Sequence, residues 1–584
     1  MSKHMHRDDT RSPTPVHPAE SLNKGLKGGR LRDDRVKIKI EAYLAYDAAV
    51  ATIEAGLQLA SAAYTPLSLD FTCYRTPFSL LTMGEIHMDA QAGRDPFHEY
   101  FTGVLCERLA TEGINLVGIS VAFPGQVQPA YSLAFILRRK LPHVYLTVGG
   151  PAITQFLVRL KGERLRSALG PFHSAVLFEG EDALLDLIQG LEKGERPSGV
   201  IRGGLVSNLG RLPAPDFDGL PIDQYLAPSL VLPYDPSRGC YWGRCAFCHY
   251  GLAESGTVCY RERPVEQVVE HLDRLSKRYN CGVFYFSEDS LAPATALRLA
   301  RAFRNSGHSW RWSTDMRPEP VITPEYASEL AEGGALSIAV GVESASRRIL
   351  RLINKGISIA ESKTAIRNLA SADIAVEVMC FTDFPTETAG EAFATLRFLD
   401  EYHTRIALFM CGRFHLTHGA PVAMNPRAFG IRDIWEVSGD ELGTGIFYEE
   451  KSQAKTRMDH QRIGDAIRAL SAGWWLHRYP WAGSLSTAHT LLWFDQHGPD
   501  VFRRYAGVRS PSGGSGEGRG ITKRLFDVRA ISEKASEHEA RIWHTLVYRR
   551  RSVTRRDYEE LARTFPPAGR ISRGPSGKRG KKRI

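Results

Sequence analysis

The chain has 584 residues, 43% apolar and 24% charged, the balance of a soluble globular protein with room for three or four domains. No run of 18 apolar residues occurs, so no membrane span is expected. The polar opening MSKHMHRDDTRSPTPVHPAE lacks the apolar stretch of a secretory signal, so a cytoplasmic location is expected. The net charge of +10 hints at nucleic acid, but the segment 570–584 alone carries seven Lys and Arg and no acid. Its Gly, Ser and Pro content reads as a disordered, solvated tail. A basic arm for nucleic acid is the alternative, and nucleic acid is not the expected partner.

In chain order, residues 1–36 are polar and read as a disordered basic N-terminus. Residues 37–210 alternate strand and helix patterns. INLVGISVAF (114–123), HVYLTVGG (143–150) and HSAVLFEGE (173–181) read as strands, with helices at AYSLAFILRRK (130–140) and DALLDLIQGLEKG (182–194). Strand–helix alternation implies parallel strands with helical crossovers, a Rossmann-like α/β domain. RLPAPDFDGLPIDQYLAP (211–228) has four prolines and reads as an ordered linker.

A second α/β series spans 229–430. Its strands are SLVLPYDPS (229–237), CGVFYFSED (281–289), SWRWSTDM (309–316), ALSIAVGVES (335–344), IAVEVMCFTDF (374–384) and RIALFMCGRFHL (405–416). Six repeated units predict a partial (βα)6 barrel rather than an open dinucleotide sheet. Residues 431–565 read as a mainly helical region interrupted by a flexible linker, SPSGGSGEGRG (510–520). Trp474 and Trp475 within it read as core. Residues 566–584 form the disordered basic tail.

Of nine cysteines, three fall within SRGCYWGRCAFCHYG (237–251), directly after the first strand of the second series. A disulfide framework is not expected in a cytosolic chain of this length, so Cys240, Cys245 and Cys248 read as metal ligands. Thiolates suit iron–sulfur clusters and zinc alike. Three of them can hold three irons of a four-iron cluster and leave the fourth open. Zinc wants four closed ligands, which His249 or Cys259 would complete. Cys380 and Cys411 lie within strands and read as packing.

The position of this loop resembles the radical SAM superfamily, in which three cysteines follow the first strand of a partial TIM-type barrel. The usual spacing there is C-x-x-x-C-x-x-C; this chain has one residue more in its first interval. The resemblance covers about 229–420 and implies one [4Fe-4S] cluster that cleaves S-adenosylmethionine (SAM) to a 5′-deoxyadenosyl radical. Such clusters work at low potential, on the order of −400 mV. It further implies that Phe247 packs near the adenine, that Glu343 and Ser344 of GVES (341–344) meet the ribose or the SAM amine, and that Ser313 and Arg317 flank the SAM site. For Glu343 a helix cap is the plainer reading, and for Ser313 and Arg317 ordinary loop polarity. TDFPTET (382–388) resembles the family's Gly-Phe-Pro-Gly-Glu-Thr turn, with Asp383 and Thr386 in place of glycines. No cysteine follows Cys411, so a single cluster is expected.

LVGISVAFPGQVQPA (116–130), TVGGPAIT (147–154) and FEGE (178–181) resemble the cobalamin-binding domain fused to many radical SAM proteins. That resemblance assigns Ser120, Gly149 and Gly150 to cobalamin. The D-x-H-x-x-G that supplies a lower histidine ligand is missing, and His87 is out of pattern, so no histidine beneath the cobalt is expected. A plain structural domain is the alternative. Together the two resemblances imply a cobalamin-dependent radical SAM methyltransferase acting on a small molecule or peptide, served by an external electron donor. A radical SAM enzyme without functional cobalamin and a zinc-stabilised nucleic-acid-binding protein are the rival expectations.

Overall fold

The computed structural model describes residues 34–504, apart from 63, 65–67, 72, 77–81, 92–94, 250–259, 437–439, 444–445, 479–480 and 485. The linker 510–520, the helical segment 521–565 and the basic tail 566–584 lie outside the described residues, as does Cys259.

The first helix, α1 (Asp34–Ala62), begins inside the segment expected to be disordered. Its Ile40, Tyr43, Leu44 and Val50 are buried in the same core as Trp475 and Phe502, and Tyr43 stacks on Trp475 with centroids 5.2 Å apart. It therefore packs with the barrel and the C-terminal elements, not with the N-terminal sheet to which 37–210 was assigned. The Trp474–Trp475 pair is core, as expected.

The N-terminal sheet contains β1 (Leu116–Ser120), β2 (Tyr145–Gly149), β3 (Ser174–Leu177) and β4 (Gly199–Arg202), all parallel and in simple order. The intervening helices include α2 (Val127–Lys140), α3 (Pro151–Leu157), followed by a short helix over Gly162–Leu169, and, leading from β3 to β4, α4 (Glu181–Glu192). Because the order does not reverse among these strands, there is no switch-point crevice between them. What the sheet offers is the open carboxyl edge at Ser120 and Gly149, where Ser120 is exposed and Phe123 is 69% exposed.

The second sheet is the expected partial barrel. β5 (Leu232–Tyr234), β6 (Val283–Phe286), β7 (Arg311–Met316), β8 (Ala335–Glu343), β9 (Ala375–Thr382) and β10 (Leu408–Arg413) lie side by side and parallel. Helices α5 (Val265–Tyr279), α6 (Pro293–Ser306), α7 (Pro324–Glu332), α8 (Arg347–Leu352), α9 (Ile359–Ser371) and α10 (Ala389–Glu401) connect them. Period-2 alternation sorts each strand. Leu336, Ile338, Val340 and Val342 of β8 enter the apolar layer under the helices, which leaves Ser337, Ala339 and Gly341 to the lumen.

The region after 430 is less helical than expected. A hairpin, β11 (Ile431–Glu436) and β12 (Ile446–Glu450), precedes α11 (Arg457–Ser471). Its β-branched and aromatic residues (IRDIWE, IFYEE) suit strands better than helix. A short strand, β13 (Trp481–Ala482), then adds antiparallel to β10, and α12 (Thr487–His497) follows. No helix among the described residues is long and apolar enough to cross a membrane.

Candidate active site

The cysteine loop leaves β5 through Ser237–Arg238 and is fastened at several points. Ala246 N donates to Ile353 O at 2.8 Å, and Val422 N donates to Ala246 O at 3.0 Å. Asn354 Nδ2 donates to Arg244 O at 3.0 Å. The residue that lengthens the first cysteine interval falls in a stretch built around Trp242. Its Nε1 donates to Asn354 O at 2.9 Å, and its ring lies under the Arg317 guanidinium at 4.4 Å. Gly356 makes that docking possible: with φ at +74°, a Cβ there would sit 2.3 Å from the indole.

Cys240, Cys245 and Cys248 are half-buried, and none is in a disulfide. Burial pushes the Cys245 thiol up, opposed by the positive charges of Lys355 and Arg317. Among the described residues, no three His, Cys, Asp or Glu side chains close into a ready metal cage. The donor chemistry is three soft thiols on one loop. His249, the histidine that would complete a zinc site, instead accepts a 2.7 Å hydrogen bond from Gln155 Nε2 on α3. Among the described residues no fourth ligand joins the three thiols, which suits a cluster with one open iron.

Around the loop, Glu343 ends β8 after a register shift and has φ of +65°. Its Oε1 accepts from Lys355 Nζ at 2.8 Å, both side chains being largely buried. Phe247 packs edge-to-face on Phe381 of β9, with centroids 5.1 Å apart. Arg317 is buried, donating from Nη2 to Lys355 O at 2.6 Å and from Nε to Glu319 Oε1 at 2.9 Å. It thus braces the cysteine loop. Ser344 is turned away: its hydroxyl meets Thr395 on α10 at 3.3 Å and accepts from Ser346 N. Ser313 is buried in β7 on the same face as Asp315.

The turn TDFPTET explains its own departure from the glycine pattern. Asp383 and Thr386 both have positive φ, +67° and +68°, where glycine is the easy choice. The strain is held by what the chain adds later. Lys455 Nζ donates to Asp383 Oδ1 at 2.6 Å and to Glu387 Oε2 at 2.7 Å, and Glu450 of β12 accepts from Thr386 N at 2.9 Å. Burial raises the Asp383 carboxyl, but His460 and Lys455 more than offset it and hold it well below the usual range.

The N-terminal domain meets this site. Glu179, from FEGE, accepts from Arg261 at 2.6 and 3.0 Å and lies 3.6 Å from Arg238, two residues before Cys240. Gly150, assigned to cobalamin, has φ of +100°, and a Cβ there would sit 2.5 Å from Val121 O, so internal packing already demands glycine. At Gly149 the fit is looser: a Cβ would sit 3.1 Å from Val176 O, tight but without a positive φ. His87 stacks on Phe135, between helices rather than at the sheet's carboxyl edge. Lys355 and Trp242 were not singled out by sequence reading; the NKG at 354–356 was their one local signal.

A partial barrel whose first strand delivers three thiols beside a buried Lys–Glu pair is the architecture of a cluster-dependent radical domain. The family comparison agrees: residues 234–399 match the model of the radical SAM superfamily, and this part of the chain is a radical SAM domain. An iron–sulfur cluster and SAM are what that family implies. Among curated proteins, an uncharacterised methyltransferase of Pyrococcus horikoshii is 27% identical over 314 residues, covering 50% of this chain and 66% of the relative. An anaerobic magnesium-protoporphyrin IX monomethyl ester cyclase of Cereibacter sphaeroides is 25% identical over 178 residues, 29% of this chain and 28% of the relative. The chain spans between 28% and 66% of the curated relatives it matches. Among solved structures, the cobalamin-dependent SAM radical enzyme OxsB aligns with a TM-score of 0.48 at 17% identity, over 65% of this chain and 62% of that one. The radical SAM methyltransferase TsrM of Kitasatospora setae aligns with a TM-score of 0.46 at 16% identity, over 62% and 76%.

Proposed function

We propose that this protein is a cobalamin-dependent radical SAM methyltransferase that places a methyl group on carbon of a small-molecule or peptide substrate. The observation that carries the reading is the Gln155–His249 hydrogen bond, which ties the helix after Gly149–Gly150 to the residue after Cys248. It puts the open edge of the N-terminal sheet beside the thiol loop, where two cofactors would have to meet. The methyltransferase name of the Pyrococcus relative supports the reaction class.

Cys240, Cys245 and Cys248 would hold the cluster. The Lys355–Glu343 pair offers one charge of each sign, which matches the ammonium and carboxylate of the SAM methionine end. Phe247 would lie against the adenine, and Arg317 and Trp242 would keep the loop in place. Ser120, beside Gly149 and Gly150, would contact cobalamin at the edge of β1. When bound, the cluster supplies the electron that splits the sulfonium and cobalamin supplies the methyl group. The chain's own part is to orient SAM, brace the loop and exclude water from the lumen. Electrons would come from an external donor.

A second reading, the same barrel beside a sheet that binds no cobalamin, is favoured by the glycine pair, whose presence internal packing already explains. Anaerobic reconstitution separates them. The expected outcome is about four irons per chain, 5′-deoxyadenosine released with reductant, and cobalamin retained through gel filtration with its visible bands. Changing Cys240, Cys245 or Cys248 to Ala should remove the iron. Glu343→Gln should weaken SAM binding. Iron and 5′-deoxyadenosine without cobalamin uptake selects the second reading, and stoichiometric zinc with no iron uptake defeats both.

A further inference from the structure

The lumen of the barrel carries an acidic pair with no cation to meet it. On β7, Trp312 and Met316 enter the outer apolar layer; on β9, Val376, Val378 and Cys380 do. Asp315 and Glu377 therefore face the lumen. The strand register places both opposite the same residue, Ala339 of β8, which stands between them. Alanine leaves the space between the carboxyls open.

The Asp315 carboxyl, half-buried on β7, makes no hydrogen bond among the described residues, and the half-buried Glu377 carboxyl accepts only from Ser337 Oγ. No Lys, Arg or His among the described residues pairs with either. Two further acids add to the negative field, Asp289 and Glu288, whose Oε1 accepts from Asp315 N at 3.3 Å, and Tyr285 on β6 lies within reach of Asp315 and Glu377. Two carboxyls side by side without a cation hold their protons more tightly than free acids do, and an ammonium arriving from outside would let them ionise. Above the pair, towards the cysteine loop, the same lumen face turns apolar: Met379, Met410 and Phe381 follow Glu377 and Leu408 on β9 and β10. Met410 is 37% exposed.

We propose that Asp315 and Glu377 form the substrate-recognition floor of the barrel and select a substrate with a protonated amine on an apolar body. The amine would sit between the two carboxyls over Ala339, and the apolar part would run up past Met379 and Met410 towards the thiols. The inference rests on the radical SAM reading for the word substrate, but the binding site stands on its own geometry.

The test uses the full chain, reconstituted anaerobically, with 2-phenylethylamine as probe and the isosteric neutral 2-phenylethanol as control, both titrated calorimetrically at pH 7. The amine should bind at least tenfold more tightly than the alcohol. Asp315→Asn and Glu377→Gln should each cut that preference to threefold or less. Ala339→Val fills the gap while leaving both carboxyls in place, so it should also abolish amine binding, and it serves if a carboxyl variant does not fold. Equal affinity for amine and alcohol in the parent protein, or an unchanged preference in folded variants, overturns the proposal. Release of 5′-deoxyadenosine is followed in the same samples. Amine selectivity without that release leaves the floor standing and defeats the radical reading; release without selectivity does the reverse.

Discussion

Glu179 of the N-terminal domain and Arg261 of the barrel domain meet at 2.6 Å, with both side chains largely buried. Arg261 also donates to Val206 O at 2.6 Å, and Val206 N donates to the Glu179 carboxylate at 2.7 Å, so the three form a closed knot. Burial raises the Glu179 carboxyl, but its bonds from Arg261 and Val206 outweigh that and hold it low. Glu179→Leu leaves Arg261 buried without its counter-charge, a loss of about 3–5 kcal/mol at the boundary. Denaturant unfolding should split from one transition into two as the domains uncouple. A single transition of unchanged midpoint would show that the knot does not join them.

The cysteine loop depends on a glycine outside it. Gly356→Ala puts a Cβ 2.3 Å from the Trp242 indole and an L-residue at φ +74°. Overpacking of this kind costs about 1–3 kcal/mol, and here the movable partner is Trp242 itself. Iron content after reconstitution should fall by at least half, with a red shift in tryptophan emission as the ring leaves Arg317. The companion Trp242→Ala should lose iron as well, because the loop then loses its contacts with the Arg317 guanidinium and Asn354 O and keeps only the bond from Asn354 Nδ2 to Arg244 O. Full iron loading in both variants would mean that the loop is held by its backbone bonds alone.

The legible parts of this molecule were those that repeat. All ten parallel strands but β4 fall inside segments that the sequence analysis reads as strands, and the cysteine loop was marked by its spacing and its place after β5. The illegible parts depend on pairing across distance. Lys355 is twelve residues from Glu343, and nothing local announces that they join. The hairpin of β11 and β12 is short and mixed in pattern, and the helices beside it set the expectation for the whole region. Asp315 and Glu377 did leave a trace, since a single acid on the lumen face of an otherwise buried strand breaks the alternation. That trace gains meaning only when β8 sets both against Ala339.

The turn at 382–388 gives a third expectation. Lys455 carries both Asp383 and Glu387 from inside the fold. Lys455→Met leaves two buried carboxylates facing each other and should cost about 3–5 kcal/mol at pH 7. Adding Asp383→Gly to it should return part of that, because it removes one charge and relieves a positive φ at once. In the parent protein the depressed Asp383 carboxyl contributes stability that is full above its unfolded value of about 3.9 and is lost as pH falls below it. The Lys455→Met protein should show a smaller acid-side loss, because His460 still faces Asp383. A parallel decline in both proteins below pH 4 would assign it to other groups.

The lumen pair predicts a trend of opposite sign. Burial, with Glu377 and Asp289 nearby, pushes the Asp315 carboxyl up to about 7. A carboxyl raised in the fold keeps its proton where the unfolded chain has lost it. Its stabilising contribution is therefore full below the unfolded value near 4, and it drains away as pH climbs through 7. Tyr285, Glu288 and Glu377, which adjoin it, are themselves raised by burial, and none of them supplies a compensating cation. The expected loss between pH 4 and pH 8 is on the order of 3 kcal/mol. Asp315→Asn cannot ionise, so its unfolding free energy should fall less over that span than the parent's and should exceed that of the parent protein at pH 8. Saturating 2-phenylethylamine should flatten the parent curve in the same way, since the ammonium supplies the charge that the lumen lacks. An Asn variant less stable than the parent at pH 8 would mean that the Asp315 carboxylate is already compensated within the protein.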